Sequence, residues 1–282
     1  MTKMSLSSKA PERNDFGTHW IGRLPTSTAS WMAVGFFVAL ALAAVVLAKY
    51  GVRERGAAVG LQLTARWSFL LFWFAYAGSA MARLFGPRFD ALARRGRDFG
   101  LAYASAQVVH VSLVLWIFYL APDKNGGMVF FWVGILCTYL LALFSIPGFR
   151  EALGPQLWRA YRAAALEYIA LAFAADFILG PLQATQAIKH WALRYLPFVL
   201  LLIGGVGLRL AARLRGDSRR SRIDASAKMS KLIATSVGLL LLASIAIGLW
   251  DLFPGLNRLA AAVALVLIAA GIFNVWGTLN SN

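Results

Sequence analysis

Five side chains in this sequence are of types that do chemistry and stand where chemistry would matter: Gln107, His110, Arg162, Glu167 and Asp176. His110 lies at the centre of a 24-residue uncharged run from Phe99 to Pro122. A hydrocarbon core of ~30 Å takes about 20 residues of helix, so the middle of such a run lies near a bilayer midplane. An ionisable group at that depth is costly unless it is paired, hydrogen-bonded or bound to something. His110 is eleven residues past Phe99, and Asp176 is thirteen past Ala163, where another apolar window begins. If both helices run in the same direction, the two groups fall at similar depth. We therefore expect a buried His110 to Asp176 pair, with Gln107 one turn away adding a hydrogen bond. Such a pair is either a structural lock or a protonatable step in coupled transport or redox chemistry.

Glu167 precedes Asp176 by nine residues, which places the two acids on opposite faces of a helix and rules out a paired-carboxylate site. Its expected role is a salt bridge to Arg162, Arg159 or the Arg94 to Arg97 cluster. Serines near the midplane, such as Ser105 and Ser112, sit in smooth helical sequence without a nucleophile turn. His, Cys, Asp and Glu show no metal-ligand spacing. The single cysteine, Cys137, excludes an intramolecular disulfide, C-x-x-C chemistry and covalently attached c-type haem.

The elements that must position these residues are apolar helices. Sixty per cent of the 282 residues are hydrophobic and only 14% are charged, which marks a polytopic membrane protein, all-α, in the lipid bilayer. Between charged residues lie eight windows: Leu24 to Ala48, Trp67 to Ala82, Phe99 to Pro122, Asn125 to Phe149, Ala163 to Ile188 with two acids inside, Tyr195 to Leu208, Leu232 to Trp250 and Leu259 to Asn282. We read them as about eight transmembrane helices. The second and sixth are short, so Arg66, Arg83, Arg209 or Arg213 must snorkel toward the headgroups. Pro147, Gly148, Gly154 and Pro155 break the chain, so the fifth helix is expected to start near Leu157 or later.

The formal charge of +16 is spread over loops beside apolar runs, which argues against nucleic acid as a partner. With the N-terminus inside, 20 of the 28 Lys and Arg fall on the inner side. This predicts a multi-pass protein of a bacterial-type inner (plasma) membrane with both termini cytoplasmic. The organisation expected is a cytoplasmic tail over 1–30, a six-helix domain over 31–210, a basic cytoplasmic loop over 211–230 and a transmembrane hairpin over 231–282. The loop reads as a topology determinant, and the tryptophans near span ends, among them Trp31, Trp67 and Trp158, as interfacial anchors. Eight spans leave no room for a flavin or nucleotide domain, and no G-x-G-x-x-G or Walker loop is present.

Arg66 to Tyr119 carries Arg-Trp-Ser-Phe-Leu-Leu-Phe-Trp, then Arg-Leu-Phe-Gly-Pro, then Arg-Arg-Gly-Arg-Asp-Phe-Gly-Leu, with His110 beyond. Phe144-Ser145, Gly154 and Trp158-Arg159-Ala160-Tyr161 follow. In this order the motifs resemble the ferric-reductase-like transmembrane domain, in particular the haem-binding membrane subunit of bacterial periplasmic methionine-sulfoxide reductase systems. Arg94, Arg95, Phe99, Gly100, Leu101 and His110 stand at matching positions, and the likeness covers roughly residues 30 to 210. It implies electron transport by an oxidoreductase-related subunit: b-type haem held between two helices, a quinone or flavoprotein donor, and a partner redox protein as acceptor. His110 takes a haem-ligand position. Where the family carries further histidines this chain has Arg162 and Ala175, neither of which ligates iron. The chain is therefore at most an electron-transfer subunit. The alternatives are a haem-free accessory, assembly or interaction subunit, and a proton-linked transporter using His110 and Asp176.

Overall fold

The computed structural model describes residues 27–122, 129–179 and 188–214, together with scattered positions between Thr235 and Ala270. The described elements are all helical. In chain order they are α1 (Thr28–Tyr50), α2 (Glu54–Phe85), a 3-10 turn (Pro87–Phe89), α3 (Asp90–Arg94), α4 (Gly96–Leu120), α5 (Val129–Leu143), α6 (Pro147–Leu153), α7 (Pro155–Ala174), a π turn (Ala175–Leu179) and α8 (Ile188–Leu214). The tail up to residue 26, the 215–230 loop and most of the expected C-terminal hairpin lie outside the described residues.

Six of these helices run alternately up and down. Thr28 Oγ1 donates to Asp98 at 2.8 Å, which puts the starts of α1 and α4 at one end. Trp116 Nε1 donates to the Val52 carbonyl at 2.9 Å, which puts the end of α4 beside the α1–α2 turn. That turn passes through Gly51 at φ +83°, a conformation in which a side chain is strained. Tyr161 and Tyr168 of α7 donate to the carbonyls of Cys137 and Phe130 on α5, an antiparallel register. The end carrying Arg94 to Arg97, α6 and Arg213 is called the basic end below.

Among the described residues, four helices are long and apolar enough to cross a membrane: α1, α2, α4 and the Arg194–Leu214 part of α8. Helix α5 is apolar but has only 15 residues. Helix α7, with Arg159, Arg162 and Glu167, is not among the four. It starts at Pro155, earlier than expected, because proline suits the first helical turn, where its missing N–H is not needed.

The largest departure concerns the second window. Helix α2 is 32 residues long and runs straight through Arg66, which is 3% exposed inside the bundle. Arg66 does not snorkel. Its guanidinium lies over the rings of Tyr195 (5.0 Å) and Phe198 (5.6 Å) of α8. Helix α8 likewise continues for 27 residues through Pro197 and past Arg209.

Small residues bring α1 against α4. Gly35, Ala39 and Ala43 recur every fourth residue on the buried stripe of α1, facing fully buried Ala102 and Ala106. At Gly35 the backbones are so close that a Cβ would collide with the Ala102 carbonyl. Trp67 Nε1 donates to the Gly35 carbonyl at 3.0 Å, so this tryptophan ties two helices together instead of anchoring at the interface. Trp31 is also buried, packed on Phe99 and under Arg95. Between α2, α7 and α8 the core is aromatic: Phe69 meets Phe173, Phe177 and Phe198 edge-on.

Candidate functional site

His110 projects from α4 toward α2, where its Nδ1 lies 3.0 Å from Thr64 Oγ1. Thr64 is fully buried, and its hydroxyl donates back to the Gly60 carbonyl at 2.9 Å. The same hydroxyl lies 3.2 Å from the Leu61 carbonyl, so its single hydrogen has a choice of acceptors, and which partner donates in the contact with His110 follows the tautomer of the ring. Helix α2 positions Thr64 here because Gly60, one turn earlier, lets Leu113 of α4 close on it.

His110 forms part of the wall of a cavity of about 270 Å³ enclosed by α2, α4, α5, α7, the π turn and α8. Gln62, Gln107 and Asp176 supply the other strongly polar side chains of that wall, with Phe131, Trp132, Phe173 and Phe177 among the apolar ones. The structure thus brings His110, Gln107 and Asp176 to one site. Gln107 is buried, within hydrogen-bonding reach of the Tyr103 hydroxyl, which itself lies 3.0 Å from Thr138 Oγ1. Asp176 is the accessible member, carried by the π turn. One wider turn shifts the residues after Ala174 out of the α7 register, a local device that recurs at functional sites. Among the described residues no hydrogen bond joins His110 to Asp176. The positive charge that acts on Asp176 is the Arg66 guanidinium.

Glu167 finds different partners from those expected. Its Oε1 accepts from Arg209 Nε at 3.1 Å and from Arg213 Nη2 at 2.7 Å, and its Oε2 accepts from the Tyr76 hydroxyl at 2.6 Å. Arg209 and Arg213 are one turn apart on α8, so one carboxylate on the antiparallel neighbour serves both. Arg209 also lies 4.4 Å over the Tyr76 ring. Arg162, proposed as a partner of Glu167, instead lines a second cavity of about 160 Å³ at the basic end, with Arg97, Arg150 and Trp158.

Sequence reasoning missed Gln62, Thr64 and Arg66. The signal was present: residues 56 to 65 are uncharged, so an apolar run lies on both sides of Arg66. Windows cut at Lys and Arg place each basic residue at a boundary, and a buried arginine is then read as a span end.

No family model matches the chain, and no curated protein or solved structure matches it. The donor set around His110 decides how a b-type haem would fit. Across the cavity, α7 and the π turn present Ile169, Ala172, Phe173, Asp176 and Phe177, and the lining holds no second histidine, no cysteine and no methionine. Tyr168 is engaged with the Phe130 carbonyl at 2.9 Å. His190 falls in the first turn of α8, and His19 lies outside the described residues. The described residues do not fit a haem held by two imidazoles.

Proposed function

We propose that this chain is a haem-free membrane subunit of the ferric-reductase-like type, whose central cavity holds the head of a quinone-class lipid for a partner redox protein. The observation that carries this reading is the convergence of His110, Gln62, Gln107 and Asp176 on one cavity with aromatic walls. A quinone head is a flat ring with polar oxygens at opposite edges. The amides of Gln62 and Gln107 can donate to a ring carbonyl, and His110 can accept from the hydroxyl of the reduced form in one tautomer or donate to the carbonyl of the oxidised form in the other. Asp176, accessible in the same wall, offers a further acceptor. The chain's own residues bind and orient the ring; electrons pass to the partner. The positive-inside bias favours a bacterial-type plasma membrane with the basic end toward the cytoplasm.

The test is optical and analytical. Protein purified after expression with ample haem is expected to give a featureless dithionite difference spectrum, and extraction is expected to recover quinone from the wild type but not from His110→Ala. A reduced b-type band that disappears in His110→Ala would overturn the haem-free reading. Equal quinone recovery from the two proteins would remove the cavity from the proposal.

A further inference from the structure

The cavity at the basic end has no role in the reading above. Arginines from three separate helices line it: Arg97 of α4, Arg150 of α6 and Arg162 of α7. Among the described residues no carboxylate lines it. Phe72, Leu141 and Leu166 give it apolar wall beside the arginines, with Trp158 and the hydroxyl-bearing Tyr103, Thr138 and Ser145 also in the lining.

Among the described residues, the acids of this end are spent or turned aside. Glu167 is taken by Arg209, Arg213 and Tyr76, and Asp98 accepts from Thr28. Asp90 and Glu151 make no ion pair among the described residues and do not line the cavity. The like charge that acts on Arg162 is Arg209, which adds to the positive character of this end. Three cationic residues lining about 160 Å³, with no carboxylate in the wall among the described residues, favour an anion placed there.

We infer that this cavity is a binding site for a phosphate-bearing ligand, with Arg97, Arg150 and Arg162 as its recognition groups. Arginine suits phosphate because its planar fork gives paired donors to two oxygens. The headgroup of an anionic phospholipid and free phosphate share this chemistry. The apolar wall beside the arginines matches the boundary between a lipid's phosphate and its acyl chains.

The experiment uses the full chain in detergent and counts retained lipid by native mass spectrometry. Phosphatidylglycerol and phosphatidylcholine are supplied separately, with inorganic phosphate as competitor. The wild type is expected to retain phosphatidylglycerol selectively, and each arginine neutralised, in Arg162→Gln or Arg97→Gln, is expected to weaken retention about fivefold. Arg159→Gln is the control, because Arg159 is outside the lining and its Nε donates to the Pro155 carbonyl of its own helix at 3.1 Å. Retention unaffected by millimolar phosphate identifies the lipid headgroup as the source. Displacement by phosphate, with phosphate binding lost in Arg162→Gln, assigns the same site to the free ion. Equal retention of both lipids, or loss in Arg159→Gln as large as in Arg162→Gln, overturns the inference. Arg97 is exposed at the helix start, so Arg97→Gln keeps the test open if Arg162→Gln fails to fold.

Discussion

The two cavities lie one above the other in the bundle and share Tyr103 and Ile169 as a common wall, yet they treat charge in opposite ways. In the central cavity a single carboxylate feels a single buried guanidinium, and the imidazole beside them is held by a threonine. At the basic end three arginines line one space with no carboxylate in its wall among the described residues. The difference follows depth. Far from water a charge must be matched within the protein or not be there, whereas at the membrane surface lipid, ions and water can do the matching. The cluster around Glu167 lies between these limits, with one carboxylate shared by Arg209 and Arg213 at side-chain exposures of 15% and 55%.

Three substitutions break or sharpen that contrast. The largest effect is expected at Asp176→Asn, which removes the carboxylate on which the buried Arg66 guanidinium acts. Thermal unfolding in detergent should report a loss of about 1–2 kcal/mol, well below that for breaking a fully buried pair because Asp176 is itself exposed. The double variant Arg66→Met, Asp176→Asn should recover most of it; a simply additive loss would mean that the two charges are not coupled. Next is Glu167→Gln, which weakens two ion pairs but keeps a polar group for Tyr76. About 1 kcal/mol is expected in the same measurement, shrinking as salt is raised, since both pairs are partly exposed. A salt-independent loss would place Glu167 with the buried groups instead.

A similar effect on stability, about 1 kcal/mol, belongs to Thr64→Val, since it removes at nearly constant volume the hydroxyl that meets both the Gly60 carbonyl and His110. Its sharper readout is the His110 ring, whose tautomer balance should shift once the Thr64 hydroxyl is gone. Nitrogen chemical shifts of labelled histidine distinguish the two tautomers, and unchanged shifts would show that Thr64 does not set the balance.

Much of the central site was legible in the chain. Counting residues along two apolar windows placed His110 and Asp176 at one depth, and both line one cavity. Depth is legible because helical rise is constant. Which helix supplies the partner is not, because that depends on azimuth and on neighbours far away in sequence. Thr64 is 46 residues from His110, and Glu167 is 42 from Arg209. Arg66 escaped for another reason: charge was treated as a sign of water, but aromatic faces and one carboxylate can keep a guanidinium inside.

The sequence by itself determined that this is an all-helical protein of the membrane, since runs of apolar residues have few other places to go. It also determined that His110 lies deep within a helix. The tertiary structure alone decided who meets whom: that small residues let α1 and α4 touch, that a single wide turn carries Asp176 into the cavity wall, and that Arg162 lines one cavity with Arg97 and Arg150. These outcomes rest on close packing between distant segments, where a shift of one helical turn exchanges every partner and leaves the composition unchanged.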